Sequence, residues 1–251
     1  MFKSLLRKFT SSPSQTLEEP IDLTTLHADM HSHLIPGIDD GAKTIEDSLE
    51  LIRFLHSKGY SKLITTPHVM SDYFRNTPEI ILEGLQTVRA AVKQEGIPVT
   101  IDAAAEYYID DGFIRKLEEE KLLTFGDNFL LMEVSYINPP DSVTEVFFRS
   151  QVLGYRPVLA HPERYPFWYR DLEQYRRFYE MGVILQLNLN SLSGYYGPDA
   201  KKIAEKLIDM EIIGALGTDM HHTRHANALE QVTRERYLQK ILDMPLINRE
   251  L

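Results

Sequence analysis

Seven short apolar runs recur along this chain, separated by longer segments with helical spacing, and that alternation restricts its fold more than any other feature. The runs fall at 28–33, 62–65, 99–105, 129–134, 157–160, 183–188 and 213–217. Between them, Ile45, Leu49, Ile52 and Leu55 mark an apolar helical stripe that Thr44 can cap. Ile81, Leu85, Val88 and Val92 mark a second stripe, opened by Pro78. Further helices are expected over 111–121, 142–153, 171–181, 199–210 and 225–243, with glycines following several of them at the place of a left-handed C-cap. Strands that alternate with helices in this way pair in parallel, with the helices packed outside the sheet. About seven such units in 251 residues predict an α/β barrel, incomplete or distorted, with a doubly wound open sheet as the alternative. Residues 23–251 are expected to form this single domain. Residues 1–22, with Lys3, Arg7, Lys8 and a Ser/Pro-rich stretch, are expected to form a flexible N-terminal tail.

Composition removes several classes of function. Lys plus Arg is 27 against 37 for Asp plus Glu, a formal charge of −10. That balance argues against a nucleic-acid binder or a polybasic membrane-surface protein. No apolar run approaches the roughly 20 residues that cross a bilayer. Cysteine is absent, which excludes thiolate nucleophiles, disulfides and thiolate metal ligands. Any metal ion must then be held by His, Asp and Glu.

Those residue types gather where the runs end. The first run ends ADMHSHL, so strand periodicity turns His31 and His33 to one face, and the following loop carries Asp39 and Asp40. The second ends TTPHV at His68, and the third AAAEYY at Glu106. The fourth ends LLMEVSY at Glu133, and the fifth VLAHPER at His161 and Arg164. The seventh ends ALGTDMHH at Asp219 and His221. Only the sixth run offers no such residue. In a parallel β/α barrel the C-terminal strand ends share one face, so these scattered groups would converge. Imidazoles and carboxylates in such number suit divalent transition metals, and carboxylates can bridge adjacent ions. His222 and His225 read as parts of a solvated loop. Tyrosines 107, 108, 136, 165, 169, 195 and 196, with Phe167 and Trp168, fall just beyond strand ends; some could rim an aryl-binding cleft, and at least half are expected to pack loops.

The ordered motifs DMHSHLIPGIDDGA, ITTPHV, AAEYYID, LLMEVSY, LAHPERY and GTDMHH resemble the polymerase and histidinol phosphatase (PHP) superfamily over about residues 28–240. Within it, the chain is most similar to bacterial metal-dependent protein-tyrosine phosphatases of capsular or exopolysaccharide synthesis. The resemblance implies a distorted (β/α)7 TIM-like barrel and two to three divalent ions, manganese being typical and iron, magnesium or zinc occurring across the superfamily. It implies the ligand set His31, His33, Asp40, His68, Glu106, Glu133, His161, Asp219 and His221, with Asp40 rather than Asp39 taken from the second Asp of the DDG motif. Arg164 would contact phosphate, and Asp40 and His68 would also take part in catalysis. The chain lacks the Gly-Arg-Pro-Pro run that normally supplies a second arginine, so Arg224 is the nearest substitute. The implied substrate is the phosphotyrosine tail of a tyrosine autokinase. The implied location is the cytoplasm, with transient approach to the inner membrane through that kinase. A histidinol-phosphate-type phosphatase and a PHP exonuclease are the alternatives on the same metal chemistry.

Overall fold

The computed structural model describes residues 17–119, 121–138 and 140–251. Residues 1–16 of the expected tail lie outside the described part. Residues 17 and 21 donate backbone hydrogen bonds to Arg234 O and Thr233 O, at 2.7 and 2.6 Å.

Nine strands are described, and all their pairings are parallel. β1 (Ala28–Asp29), β2 (Lys62–Thr65) and β4 (Thr100–Ala103) form one sheet in that order. β3 (His68–Val69), β5 (Glu106–Tyr108), β6 (Phe129–Glu133), β7 (Arg156–Ala160), β8 (Ile184–Asn188) and β9 (Ile213–Gly217) form the other. The two sheets share chain segments, because β2 runs on into β3 and β4 into β5 with only two residues between. Ala104 N donates to Thr65 O and Glu106 N to Pro67 O across these breaks. The ladder therefore follows chain order from first segment to last. Beyond β1 and β9, Ser32 and Met220 form a parallel bridge, Asp219 N donates to His31 O, and His33 N donates to Met220 O. The α/β class with parallel pairing agrees with the sequence expectation.

Several boundaries differ from the periodic reading. The first expected strand stops as regular ladder at Asp29, because Ser32 O turns to Thr66 N and to the Thr65 hydroxyl while its own hydroxyl bonds Ile64 O. The expected helix 225–243 is two helices, α7 (Thr223–Val232) and α8 (Arg236–Leu242). The break falls where Thr233 O and Arg234 O accept from the 17–21 segment rather than from the next helical turn.

The other helices lie near their expected places: α1 (Ile45–Ser57), α2 (Pro78–Gln94), α3 (Asp111–Glu119), α4 (Val143–Val152), α5 (Glu173–Glu180) and α6 (Pro198–Asp209). Thr44 caps α1 through a reciprocal capping box with Asp47, worth about 1 kcal/mol. Thr77 caps α2 ahead of Pro78.

Apolar packing explains which strand residues meet the site. A large cluster joins Leu130, Met132, Leu159, Leu185, Leu187 and Leu216 to the helices. A smaller one gathers Met30, Ile64, Ala104, Leu131, Val158, Ala160 and Ala215 from the other strand face. Period-two geometry continues that inner face from Leu131 to Glu133 and from Ala104 to Glu106. The inner face therefore turns from hydrocarbon to charge near the C-terminal strand ends. Among the described residues no helix is long and apolar enough to cross a membrane.

Candidate metal centre

His31 and His33 flank Ser32, whose backbone is tied to both neighbouring segments, so their imidazoles share one side. Each ring is held from behind. His31 Nδ1 donates to Gln186 Oε1 at 2.7 Å, and His33 Nδ1 donates to Asp39 Oδ2 at 2.8 Å. Fixing the Nδ1 proton aims both Nε2 atoms into the cluster, as outer partners do for metal-bound histidines. The two Nε2 atoms lie 3.3 Å apart. Both reach Asp219 Oδ1 at 3.4 Å, and His31 Nε2 lies 3.2 Å from Glu106 Oε2. Asp39 is thus an orienting group rather than a donor in this cluster.

Asp40 lies on the open side, with 60 % of its side chain exposed. Its Oδ1 is 3.4 Å from both His68 Nε2 and His221 Nε2. A hydrogen bond from His221 holds the Asp40 carboxyl below its ordinary range, against the opposing effect of burial. His221 Nδ1 donates to Asp219 O at 2.8 Å, which leaves Nε2 to face Asp40. The turn that presents Asp40 needs Gly41, because a Cβ there would sit 2.3 Å from His33 O and 2.4 Å from His33 Cβ.

Glu106 is fully buried at the centre. Its Oε2 lies 3.1 Å from His68 Nδ1 and has no hydrogen-bond partner that meets geometric criteria. Its Oε1 lies 3.1 Å from His161 Nε2, which is also 3.5 Å from Glu133 Oε1. Burial, reinforced by the Arg164 charge, lowers His161 to about 4, so this imidazole is neutral and carries a lone pair at neutral pH. His161 and Asp219 both adopt left-handed backbone, at φ 32° and 50°. Such conformations cost non-glycine residues about 1–3 kcal/mol and cluster at functional sites.

Eight of the nine expected donors fall into three groups whose ligand atoms lie within 4.8 Å of one another: His33, Asp40, His68 and His221; His31, His33 and Asp219; His68, Glu106 and Glu133. His161 joins through its contacts to Glu106 and Glu133. Many neighbouring donor atoms stand 3.1–3.5 Å apart. Ligands about 2.1 Å from a shared cation would stand roughly 3.0–3.4 Å from each other. The orphaned Glu106 Oε2 and this spacing fit divalent cations held by nitrogen and oxygen donors.

A cavity of about 480 Å³ opens above the cluster, lined by Asp40, His68, Glu133, Tyr136, His161, Arg164, Tyr196, Asp219 and His221. Arg164 Nη1 donates to Asp219 Oδ2 at 2.9 Å. Its guanidinium packs 4.1 Å from the Tyr196 ring centroid and 5.0 Å from that of Tyr136. Arg224 is exposed and lines a separate, neighbouring cavity with Lys43, Asp40 and His222. His225, expected in a solvated loop, is instead buried on α7, where its Nδ1 accepts from His221 N at 3.2 Å. The loop turns immediately into a helix, and that turn draws the ring inward.

Strand β8, which offered no expected ligand, supplies two orienting amides. Gln186 holds His31, and Asn188 Nδ2 donates to Asp219 Oδ2 at 2.8 Å. Their signal was the alternation of Gln186 and Asn188 with Leu185 and Leu187. Glu163 of the HPER stretch is also buried; its Oε1 accepts from Asn188 N and from the Ser191 hydroxyl, bracing this strand end.

Comparison with known proteins identifies relatives of the chain. The chain is 28 % identical over 200 residues to the tyrosine-protein phosphatase YwqE of Bacillus subtilis, covering 79 % of each chain. It is 28 % identical to the tyrosine-protein phosphatase CpsB of Streptococcus pneumoniae, covering 77 % of this chain and 82 % of that one. Among solved structures, one described with YwqE from Bacillus subtilis and CpsB from Streptococcus pneumoniae as unique metal-dependent tyrosine phosphatases matches with a TM-score of 0.76 at 28 % identity. That match covers 82 % of this chain and 84 % of the other. An amidohydrolase from Mycoplasma synoviae, at 14 % identity and a TM-score of 0.54, shares the fold alone. The family model for capsular polysaccharide synthesis, CpsB/CapC, matches residues 27–244, and the chain belongs to that family.

Proposed function

We propose that this chain is a metal-dependent phosphomonoesterase that hydrolyses phosphotyrosine in a protein substrate. The observation that carries the reading is the convergence of eight imidazole and carboxylate donors in three groups, joined by His161 through Glu106, with six of the nine lining one cavity beside Arg164. The relatives named as tyrosine-protein phosphatases support it. The substrate we infer is the tail of a tyrosine autokinase of capsule or exopolysaccharide synthesis, met in the cytoplasm or at the inner membrane.

Two to three divalent ions, Mn2+ foremost, would be held by His31, His33, Asp40, His68, Glu106, Glu133, His161, Asp219 and His221. Such ions acidify water and offset the phosphoryl charge. The protein's own groups do the rest. Gln186 and Asp39 lock the two imidazoles so that their Nε2 atoms face the cavity floor. Arg164 keeps one nitrogen on Asp219 and, with five N–H donors, retains others for non-bridging phosphate oxygens. Tyr136 and Tyr196 hold the plane of that guanidinium. Asp40 and His68 stand at the cavity's open side, where substrate enters. A tyrosine leaving group, with a pKa of about 10, departs with modest assistance.

The test is hydrolysis of a phosphotyrosine peptide by purified protein before chelation, after chelation, and after Mn2+ is restored, with His161→Ala alongside. Activity that vanishes with metal and returns with it, and is absent from His161→Ala, is the expected result. Full activity in stripped protein would refute the reading.

A further inference from the structure

Tyr136 reaches the floor of the cavity without belonging to the donor set. It stands three residues beyond the end of β6, 38 % exposed as a whole, with its hydroxyl turned toward His161 in the site. The hydroxyl lies 3.4 Å from His161 Nε2. The ring stacks over His161 at 5.7 Å and 21°, and the Arg164 guanidinium packs on it at 5.0 Å. Its neighbours at the floor, His161 Nε2 and the Glu133 carboxyl group, both belong to the ligand cluster, where bound cations would take up their lone pairs. Cations that engage those lone pairs leave the phenolic hydrogen to be shared with whatever occupies the cavity. The side chain also spans from mouth to floor, the path a substrate tyrosine must follow to place its phosphoryl group beside Arg164. Its hydroxyl therefore borders the space that the phosphate ester would occupy beside Arg164.

We propose that Tyr136 is a catalytic residue whose hydroxyl donates a hydrogen bond to the aryl ester oxygen of phosphotyrosine as the phosphorus–oxygen bond breaks. The assignment rests on the phosphomonoesterase reading above. In the step, a water oxygen forms the new bond to phosphorus and one water proton goes to solvent. The bond to the aryl oxygen breaks with its electron pair left on that oxygen, where the Tyr136 hydrogen bond disperses the charge. The departing tyrosinate then takes a proton from solvent, so the products are tyrosine and hydrogen phosphate. Tyr136 shares its hydrogen with the departing oxygen and stays protonated throughout.

Tyr136→Phe keeps the ring and its packing on Arg164 while removing the donor. Wild type and variant are compared on aryl phosphates of graded leaving-group pKa and on a phosphotyrosine peptide. Bound metal is counted by elemental analysis. Calorimetry measures binding of a difluoromethylene phosphonate peptide, which has no bridging oxygen to accept the bond. The expected kcat loss is about tenfold for nitrophenyl phosphate and about a hundredfold for phenyl phosphate and the peptide, with metal content and phosphonate affinity unchanged. An equal loss across the series, no loss, depleted metal or weakened phosphonate binding would each overturn the assignment. A wild-type protein inert on every phosphate overturns the phosphomonoesterase reading itself, and this assignment with it.

Discussion

Loading the site with a divalent cation must expel protons. In the metal-free chain burial works against the charged form of His31, yet the Glu106 and Asp219 carboxylates outweigh it and raise this imidazole to about 9. His68 is raised to about 10, again against burial, by Glu106 and then Glu133 and Asp40. Burial and the neighbouring Glu106 raise Glu133 to about 7. At pH 7 both imidazoles therefore carry a second proton and Glu133 carries about half of one. A cation at these atoms displaces them, releasing about two to three protons per chain. At 1.36 kcal/mol per pH unit, displacing the two imidazolium protons at pH 7 costs about 7 kcal/mol. That cost fades as pH rises, so each Mn2+ affinity that displaces one imidazolium proton climbs by about one decade per unit between pH 7 and 9, and their product by about two. Isothermal titration of chelated protein with Mn2+, repeated in buffers of different ionisation enthalpy, counts the protons directly. Release of fewer than one proton, or an affinity independent of pH, would refute the reasoning. The same shifts act on folding. Both imidazole pKa values lie above the unfolded value, so their contribution to metal-free stability is complete below about pH 6.5. It is lost as pH rises through 9 and 10, and the Tm of chelated protein falls over that range.

Three substitutions test the supporting groups. Gln186→Leu removes the acceptor behind His31 Nδ1, and calorimetry should show metal affinity about 10–100-fold weaker with the fold retained. Gly217→Ala places a Cβ 2.6 Å from His31 Cβ and 2.7 Å from Gln186 Nε2; thermal unfolding should register a loss of about 1–3 kcal/mol, with reduced metal content. Arg164→Lys keeps the charge but loses the planar fork between Tyr136 and Tyr196, and kcat/KM on a phosphotyrosine peptide should fall about a hundredfold. An unchanged kcat/KM would remove Arg164 from phosphate contact.

The parallel order and the donors at strand ends were legible because both follow from periodicity. Glu133 and Glu106 were legible as charged residues ending apolar runs; that they continue the inner face of Leu131 and Ala104 shows only in the packing. The breaks between β2 and β3 and between β4 and β5 were not legible. They depend on backbone bonds to residues 30–40 positions away, such as Ala104 N to Thr65 O. The two-helix end of the chain was hidden for the same reason, since its break answers to residues 17–21. Asp39 and Asp40 are chemically alike, and the family resemblance alone singled out Asp40 as a ligand; that Asp39 orients His33 while Asp40 faces His68 and His221 shows only in the fold. Gln186 and Asn188 escaped notice because neutral amides do not announce a metal site. Their role shows only once their partners, His31 and Asp219, are seen across the strand ends.

The central claim is that residues from six separate strand ends hold cations beneath Arg164. Anomalous diffraction at the manganese edge from Mn2+-soaked crystals tests it most directly. Two or three peaks among His31, His33, Asp40, His68, Glu106, Glu133, His161, Asp219 and His221 are predicted. A map with no peak there, while these side chains are ordered, would contradict it.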